Sequence, residues 1–428
     1  MAINTRKDHA YWDPLRKGFV TNYPNFQHWK RLSPPEMAGS EPLNIYVHTP
    51  YCIQHCAYCY YKTINLRGTN KSQRIDEYID ALCREIALAS EYYHLQHRPV
   101  ASVYFGGGTP SLLNEAQLQR VIETVHRHLH LNERTEFTVE AEPVTITQAK
   151  ADLLKQLGVN RVSMGVQSFD DDIIKRSHRL DDEKKVLRAI DMIKTMDVPI
   201  NIDLMSGLAE ETQATWAHSV SRAIATEVYS ITVYKTELYT NTPYYREVRN
   251  ETITLPDDDQ ELAFMRHAFG ELTKAGYLPA SFFTFTRATH HEHQYAARTF
   301  LGEDCYAFGT SAFGKLGNYL FQNTNDEQKY ITTLAAGQLP ISRGHHLTSL
   351  DAIIREVVMG MKLVRFDLRR FQSRHGFKLE LLCADTLATL VADGFITLTE
   401  DEIRLTDKGI LYGDYSGKSL VRRLMDLE

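Results

Sequence analysis

The sequence predicts an α/β protein, in which an open, partial (β/α)6 barrel is followed by a small C-terminal α+β domain. Three observations predict this fold. Six short apolar segments of strand type recur between residues 43 and 233, helical stretches or long connections separate them, and amphipathic helices and a hairpin follow after about residue 350. Because strands that alternate with helices form parallel sheets with right-handed crossovers, six of them curl into an open barrel.

The six predicted strands end next to residues that carry chemistry. The strands span 44–48, 103–105, 136–140, 161–166, 199–203 and 229–233. At or just past these strand ends lie Cys52, Gly106, Glu140, Gln167 and Asp203. In a TIM-like barrel the reactive groups lie where strands end and loops begin, so we expect the functional site there.

Apolar spacing predicts the helices between the strands. Ser72 starts a helix with a stripe of apolar residues at helical spacing, namely Ile75, Tyr78, Ile79, Leu82 and Ile86. Another helix spans 147–157 and is closed by Gly158, a residue type favoured at helix C-termini. In the C-terminal part, helices are predicted at 352–366 and 379–393, and a hairpin pairs 395–398 with 403–405.

These patterns divide the chain into four parts. Residues 1–42 are predicted to be an irregular N-terminal extension, and residues 43–250 the barrel. Residues 251–345 form a connecting segment on the substrate side, and residues 346–428 form a domain that resembles a winged helix.

Composition excludes several functional classes. The 428 residues are 43% hydrophobic and 24% charged, with a net charge of -6, so no overall basic field attracts nucleic acid. No run of eighteen apolar residues is present, so we expect no membrane span. The first ten residues lack the apolar segment of a secretory signal, and six cysteines in so long a chain do not make a disulfide framework. We therefore expect a protein of the reducing cytoplasm.

Three of the six cysteines, Cys52, Cys56 and Cys59, follow the first strand at the spacing C-x3-C-x2-C. A structural zinc site needs a fourth ligand, and only His55 is at hand between two of the cysteines. An iron–sulfur cubane usually takes four thiolates, so three thiolates leave one iron open for another ligand. The spacing therefore indicates a 4Fe–4S cluster with one open iron.

This spacing resembles that of the radical S-adenosylmethionine superfamily, and other motifs agree with it. Gly106-Gly-Gly-Thr-Pro110 follows a strand, and glycines there let the backbone approach a ligand. The remaining motifs are similar to those of the oxygen-independent coproporphyrinogen oxidase-like subfamily, over residues 43–415. They are Tyr46-Val-His48, Val139-Glu-Ala-Glu-Pro143, Arg161-Val-Ser-Met-Gly-Val-Gln-Ser168, His178-Arg179 and Asn201-Ile-Asp203.

The resemblance implies a set of cofactor-binding residues. Cys52, Cys56 and Cys59 would hold the cluster, and S-adenosylmethionine would bind its open iron, with Tyr58 against the adenine. The cofactor-binding positions implied in this way are Tyr46, Tyr58, Gly106, Gly107, Gly108, Thr109, Glu140, Gln167, Arg179 and Asp203. Carboxylates suit ribose hydroxyl and ammonium groups, and an arginine can fork onto a carboxylate.

Two departures distinguish this chain from familiar branches of the subfamily. Tyr61 stands where coproporphyrinogen oxidases carry a further cysteine, and residues 317–323 do not reproduce the His-Asn-x-x-Tyr-Trp motif of haem chaperones. The chain instead resembles the C-methylating and cyclopropanating members. That resemblance rests on Cys59-Tyr-Tyr-Lys62, on residues 232–238 and 309–314, and on the pairs Asn241-Thr242 and Gln322-Asn323.

The latter resemblance implies two S-adenosylmethionine molecules and the transfer of a methyl or methylene unit to an sp2 carbon of an unsaturated or aromatic substrate. Such a reaction needs a dry pocket, a group that moves a proton, and an electron donor such as flavodoxin or ferredoxin. Glu237 and Tyr234, beside the sixth predicted strand, are the candidate catalytic residues, with a structural role as the alternative.

Other interpretations remain open. One is coproporphyrinogen oxidation or another haem-processing reaction, a second is a haem-binding carrier, and a third is a structural zinc protein. His290-His-Glu-His293 lacks the spacing of a helical zinc site, so we interpret it as a solvated or substrate-facing loop. Cys305 is interpreted as a core thiol, with a position at the active site as the alternative.

Overall fold

The computed structural model of the protein describes residues 12–15, 18–31, 41–66, 71–287 and 293–426. The strands in these residues are β1 (Leu43–Thr49), β2 (Tyr51–Cys52), β3 (Ile64–Asn65), β4 (Val100–Gly107), β5 (Glu136–Ala141), β6 (Arg161–Gln167), β7 (Ile200–Ser206), β8 (Ser230–Lys235), β9 (Leu278–Pro279), β10 (Thr284–Thr286), β11 (Cys305–Phe308), β12 (Phe313–Leu316), β13 (Tyr319–Asn323), β14 (Ile341–His346), β15 (Arg365–Asp367), β16 (Ile396–Leu398) and β17 (Glu402–Leu405).

The helices follow the strands in chain order. In the same residues they are α1 (Lys71–Tyr92), α2 (Glu115–His128), α3 (Gln148–Gln156), α4 (Asp171–Arg176), α5 (Glu183–Lys194), α6 (Gln213–Ala225), α7 (Pro243–Arg249), α8 (Asp258–Lys274), α9 (Gln294–Phe300), α10 (Glu327–Ala335), α11 (Ser349–Gly360), α12 (Leu368–His375), α13 (Leu379–Leu382), α14 (Ala384–Ala392), α15 (Asp407–Leu411) and α16 (Tyr415–Met425). No helix of the described residues is long and apolar enough to cross a bilayer.

The predicted six-stranded barrel is confirmed. Strands β1, β4, β5, β6, β7 and β8 are neighbours in that order, and every pair is parallel. The predicted stripe of α1 is buried against them, from Ile75 to Ile86. Gly158 adopts φ 82° just after α3, where a left-handed residue ends a helix at no steric cost.

Six further strands extend the barrel sheet on both edges. Strand β11 pairs parallel with β1 and leads into the antiparallel strands β12, β13 and β14, while β10 and β9 add to the outer edge of β8. All of them come from residues 278–346, nearly all of which the sequence assigned to a connecting segment, with a strand expected only at 282–287, where β10 lies. These strands have two to six residues each, too short for a clear alternation of apolar and polar positions.

The N-terminal residues pack onto the C-terminal domain. Trp12, Val20 and Tyr23 are buried in the same core as α11 and α16. The Val20 backbone N–H donates to Asp414 Oδ2 at 2.6 Å, and Lys30 pairs with Gly344 in an isolated bridge. A segment that looked irregular in sequence therefore connects the barrel side of the molecule to its C-terminal side.

The C-terminal domain contains helices and a small antiparallel sheet, with two corrections to the predicted elements. The predicted helix 352–366 ends at Gly360, and residues 365–367 form β15, which pairs with β17. The predicted helix 379–393 breaks at Cys383, whose ψ of 23° separates α13 from α14. The predicted hairpin is present as β16 and β17.

Candidate active site at the carboxyl ends of the barrel strands

The three motif cysteines line one cavity of about 420 Å³ at the predicted end of the barrel. Cys52 ends β2, and the Cys59 backbone N–H donates to the carbonyl of Cys56 at 3.1 Å in the loop that follows. Ala57 fastens this loop, because its N–H donates to Ser177 O and its carbonyl accepts from Tyr244 N, each at 3.0 Å. The loop is therefore anchored on two of the segments that follow barrel strands, through Ser177 and Tyr244.

The chemistry of the donor set fits an iron–sulfur group. Burial raises the pKa of Cys52 to about 12 and that of Cys59 to about 11, so the bare thiols hold their protons. Metal ions that bind buried sulfur displace these protons and compensate the charge of the thiolates. No three His, Cys, Asp or Glu side chains of the described residues converge around one point as they would around a single ion. The thiolates of an iron–sulfur cluster bind different iron atoms.

The glycine loop after β4 packs tightly against the cysteine segment. The Gly108 N–H donates to Thr49 O at 2.6 Å, and the Thr109 N–H donates to Tyr51 O at 2.7 Å. Gly107 has φ 112°, and a Cβ on Gly108 would lie 2.4 Å from Tyr51 O. The glycines are thus required by the protein's own backbone. Three of the four predicted residues of this loop line the cavity, namely Gly107, Gly108 and Thr109.

Two half-buried carboxyl groups face the cavity from β5 and β7. Glu140 accepts hydrogen bonds from the Gly107 N–H at 3.1 Å and from the Tyr104 hydroxyl at 2.5 Å. Asp203 accepts one from the Asn201 amide at 2.8 Å. Burial raises the pKa of Glu140 to about 7, with the charge of Asp203 adding to the rise, and burial raises the pKa of Asp203 to about 6. Both groups suit hydroxyl and ammonium partners.

Arg179 is the fixed cation of the cavity. Its guanidinium donates to Asp181 Oδ2 at 2.6 and 3.0 Å and to Gly165 O at 2.8 Å. It also reaches the Tyr58 hydroxyl at 3.2 Å and lies 3.8 Å from Cys56 Sγ. The arginine therefore connects the cysteine loop to β6, as expected if both contact one ligand.

The predicted residues Gln167 and Tyr58 also line the cavity, whereas Tyr46 lies in an aromatic stack. Gln167 has φ 69° at the irregular end of β6, which turns its side chain away from the regular strand direction. The ring of Tyr46 stacks on Tyr104 at 6.3 Å, and its hydroxyl lies 3.0 Å from His48 Nδ1. Tyr46 therefore supports Tyr104, which in turn holds Glu140.

The candidate catalytic residues Glu237 and Tyr234 both line the cavity. Glu237 accepts a hydrogen bond from the Phe19 N–H at 2.8 Å and another from the Tyr239 hydroxyl. Tyr234 is 42% exposed, and its ring lies 5.5 Å from that of Phe283. Glu237 therefore fastens the N-terminal segment, a structural role, while it remains at the cavity surface.

Several site residues were missed by the sequence analysis. Glu142 approaches Arg179 at 3.3 Å and accepts from Gln54 and Thr109, so it belongs to the same polar group. It stands two residues after Glu140 in a motif from which only Glu140 was taken. The outer part of the cavity has an aromatic wall, which consists of Phe19, Tyr60, Tyr61, Tyr234, Tyr239 and Phe283. Tyr60 stacks on Tyr239 at 4.0 Å and on Tyr61 at 4.4 Å.

Two features left open by the sequence lie deeper in the barrel. His293 lines a second cavity, 5.4 Å from the ring of Tyr104, while the other three residues of its motif lie outside the described residues. Cys305 is 6% exposed in β11, and burial raises the pKa of its thiol to about 12. Cys305 is a core thiol.

A first prediction concerns the half-buried carboxyl of Glu140. The ordinary pKa of this side chain is 4.5, and the fold raises it to about 7, so its contribution to stability is lost as the pH rises through 7. In the absence of S-adenosylmethionine, Glu140→Gln should gain melting temperature relative to the parent as the pH increases from about 5 to about 8.5. The exposed control Glu133→Gln should show no such trend. A difference in melting temperature that does not change with pH would mean that the fold does not raise the pKa of Glu140.

Comparison with known proteins agrees with this site. Residues 46–223 match the family model of the Radical SAM superfamily, and residues 347–412 match that of the HemN C-terminal domain. The heme chaperone HemW of Bacillus subtilis is 28% identical over 86% of this chain and 96% of its own length. The oxygen-independent coproporphyrinogen III oxidase of Pseudomonas aeruginosa is 29% identical over 87% of this chain and 84% of its own length.

A further relative and a solved structure complete the comparison. The anaerobilin synthase of Escherichia coli O157:H7 is 29% identical over 69% of this chain and 66% of its own length. The structure of the coproporphyrinogen III oxidase HemN from Escherichia coli superposes with a TM-score of 0.80 at 24% identity, over 94% of this chain and 96% of that one. This last match shows a common fold.

The barrel part of the chain, residues 46–223, is thus similar to the Radical SAM superfamily, and the fold is that of the solved HemN structure. Residues 347–412 are similar to the HemN C-terminal domain, and the relatives that the whole chain resembles include coproporphyrinogen III oxidases and HemW chaperones. The predicted closeness to the C-methylating and cyclopropanating branch is not supported by these relatives. The Radical SAM match supports a 4Fe–4S cluster and S-adenosylmethionine as cofactors, whereas the predicted second S-adenosylmethionine molecule is not shown.

Proposed function

We propose that the protein is a radical S-adenosylmethionine enzyme that acts on a tetrapyrrole or a reduced tetrapyrrole precursor. The observation that carries the proposal is the single cavity in which three cysteines and the side chains of Glu140, Gln167, Arg179 and Asp203 meet. The substrate class is supported by relatives named for coproporphyrinogen III oxidation, anaerobilin synthesis and heme chaperoning.

In this proposal Cys52, Cys56 and Cys59 hold the cluster. When bound, a cluster of this kind supplies the electron that cleaves S-adenosylmethionine to an organic radical able to abstract hydrogen from carbon. Gly107 and Gly108 let the backbone approach S-adenosylmethionine closely. Arg179 and the half-buried carboxyls of Glu140 and Asp203 bind the polar parts of S-adenosylmethionine. Their anchors, Asp181 for Arg179 and Tyr104 for Glu140, fix the geometry before the ligand arrives.

The shape and surface of the site suit a large, flat substrate. Next to the cysteine cavity lies a further one of about 570 Å³. The two share the lining residues Phe19, Lys235, Glu237, Tyr239 and Phe283. The stacked tyrosines and phenylalanines offer ring faces for an extended π system and exclude water from a reactive carbon. Tyr234 and Glu237 are placed to accept or donate a proton at the substrate. An electron donor such as flavodoxin or ferredoxin is part of the same proposal.

Two other functions compete with this one. A heme carrier of the HemW type would bind the tetrapyrrole and release it unchanged. An enzyme for one-carbon transfer would consume a second S-adenosylmethionine and form S-adenosylhomocysteine, and the second cavity next to Glu140 and Asp203 offers room for another ligand. The carboxyl groups around the cysteine cavity favour turnover, because they provide a place for S-adenosylmethionine that a carrier does not need.

A substrate panel tests the proposal. The anaerobically reconstituted, reduced protein is incubated with S-adenosylmethionine and with coproporphyrinogen III, haem or no tetrapyrrole, and the tetrapyrroles are resolved by chromatography. We expect conversion of one of the two to a new tetrapyrrole, and none with a triple Cys52/Cys56/Cys59→Ala variant. Tight binding of haem without any conversion would replace the proposal by the carrier function.

A further inference from the structure

A second cavity lies deeper in the barrel and adjoins the cysteine cavity. This inner chamber has a volume of about 400 Å³. Its lining includes Tyr104 of β4, Arg161 of β6, His293 at the start of α9 and Tyr295 within α9. The chamber shares with the cysteine cavity the lining residues Tyr61, Glu140, Ser163, Asp203, Tyr234 and Phe283. A ligand in the cysteine cavity can therefore extend into the inner chamber.

Arg161, the first residue of β6, is the cation of the inner chamber. It is only 6% exposed, and its Nη1 atom has no hydrogen-bond partner within the described residues. A buried guanidinium N–H without an acceptor costs free energy that a bound ligand can recover. Each nitrogen of the Arg179 guanidinium, in contrast, already has a partner in Asp181, Gly165 or Tyr58. Only Arg161 of these two arginines offers an unused donor.

His293 adds a second unsatisfied polar atom to the same chamber. Its Nε2 is buried and has no hydrogen-bond partner within the part of the chain that the structure describes. Glu136 Oε1 lies 3.7 Å from this nitrogen, beyond hydrogen-bond distance. Burial, and to a smaller extent the charge of Arg161, lowers the pKa of His293 well below its ordinary value. The imidazole is therefore neutral and can present an N–H to a ligand.

The other charged groups of the chamber lie at its junction with the cysteine cavity. They are Glu140 and Asp203, and the charge of Arg161 offsets part of the rise that burial causes in the pKa of Asp203. A cationic or hydroxyl group of a ligand suits this junction, and an anion suits the end with Arg161. Tyr104 and Tyr295, stacked at 4.7 Å, form an apolar wall between these polar regions.

We propose that the inner chamber binds a carboxylate, with the Arg161 guanidinium and the His293 imidazole as donors to its oxygens. A planar carboxylate is the anion that a guanidinium recognises best among organic groups of this size. The inference rests on the proposed function in one respect: the carboxylate belongs to a small molecule held in the cysteine cavity. Its source is either an acid side chain of the substrate or the α-carboxylate of a second S-adenosylmethionine.

The test compares acids with their neutral analogues on the anaerobic, cluster-containing protein. In the first arm, binding of coproporphyrin III and of its tetramethyl ester is measured for the parent, Arg161→Gln, His293→Gln and Arg161→Lys. In the second arm, equilibrium dialysis counts the S-adenosylmethionine molecules bound. Its analogue is the decarboxylated form, which is neutral only at the carboxylate position and keeps the sulfonium and ammonium charges. The matched control is Arg287→Gln, since Arg287 lies over the ring of Tyr277 at 5.1 Å.

We expect Arg161→Gln to weaken the binding of one of the two acids by about tenfold or more. The binding of its neutral analogue should be unchanged. Arg161→Lys should fall between the parent and Arg161→Gln, because it keeps the charge but loses the fork. His293→Gln should weaken the same acid to a lesser extent. Iron content and thermal unfolding verify that each variant is folded.

The two arms distinguish the two possible sources of the carboxylate, and they distinguish a failure of the carboxylate site from a failure of the proposed function. A loss confined to coproporphyrin III assigns the chamber to the substrate. A loss of binding confined to the second S-adenosylmethionine assigns the chamber to that molecule. The carboxylate site then stands even if no tetrapyrrole is bound or converted. Folded Arg161→Gln and His293→Gln proteins that bind both acids like the parent, or a parent that binds neither acid in preference to its neutral analogue, would overturn the carboxylate site.

Discussion

Replacement of any one of Cys52, Cys56 or Cys59 by alanine should abolish cluster assembly and all reductive cleavage of S-adenosylmethionine. The three thiols line one cavity, and burial keeps Cys52 and Cys59 protonated until metal binds. The cluster already has one iron without a protein ligand, and loss of one of the three thiolates leaves a second iron without one. Iron and sulfide content, the broad charge-transfer absorption and 5′-deoxyadenosine formation measure the effect.

A cysteine outside the site provides the control for these variants. Cys83 lies in α1 at the barrel surface, where the Thr124 hydroxyl contacts its sulfur at 3.4 Å. Cys83→Ala should assemble the cluster and cleave S-adenosylmethionine at the parent rate. If the triple variant of the motif cysteines still cleaved S-adenosylmethionine, the assignment of the cluster to this loop would be wrong.

Substitution of Gly108 by alanine should destabilise the fold by about 2 kcal/mol and strongly reduce S-adenosylmethionine cleavage. The added Cβ would lie 2.4 Å from Tyr51 O and 2.9 Å from Thr49 O. Both contacts are with backbone, so no side-chain rotation relieves them. The displaced carbonyls accept the hydrogen bonds of Gly108 and Thr109, which tie the glycine loop to the cysteine segment.

Gly270 provides a matched control for this substitution. It lies inside α8, and a Cβ there would meet nothing within 4 Å. Gly270→Ala should therefore stabilise the protein by about 0.5–1 kcal/mol, because alanine loses less backbone entropy in a helix. Denaturant unfolding of both variants tests the pair. Equal stability of Gly108→Ala and the parent would contradict the close packing between the glycine loop and the cysteine segment.

The central barrel was predictable because its signals are local. Each parallel strand is a short apolar run next to a helix with a clear stripe, such as that from Ile75 to Ile86 in α1. The edge strands β9 to β14 lack such signals, since they depend on pairing with a sheet that already exists. In sequence, residues 365–367 continue a helical apolar pattern. In the structure they pair with β17 as a strand, because tertiary contact and not the local pattern decides their conformation.

The site was predictable where a motif fixes the residue and unpredictable where the fold brings residues together. Arg179 was identified from its motif, but its anchor Asp181 depends on the turn at His178, which has φ 59°. Likewise, Glu142 becomes part of the site because the fold places Gln54, Thr109 and Arg179 beside it. The contact of Glu237 with Phe19 joins residues 218 positions apart, beyond any local pattern.

The measurement that tests the account most directly follows the fate of both cofactor and substrate in one reaction. Methyl-deuterated S-adenosylmethionine and the tetrapyrrole that the panel selects are incubated with the reduced protein, and all products are resolved by mass spectrometry. We expect unlabelled 5′-deoxyadenosine to form in proportion to the tetrapyrrole consumed, without formation of S-adenosylhomocysteine. Deuterium in 5′-deoxyadenosine together with S-adenosylhomocysteine would contradict it and establish one-carbon transfer, and an unchanged tetrapyrrole with no 5′-deoxyadenosine would contradict it in favour of a carrier.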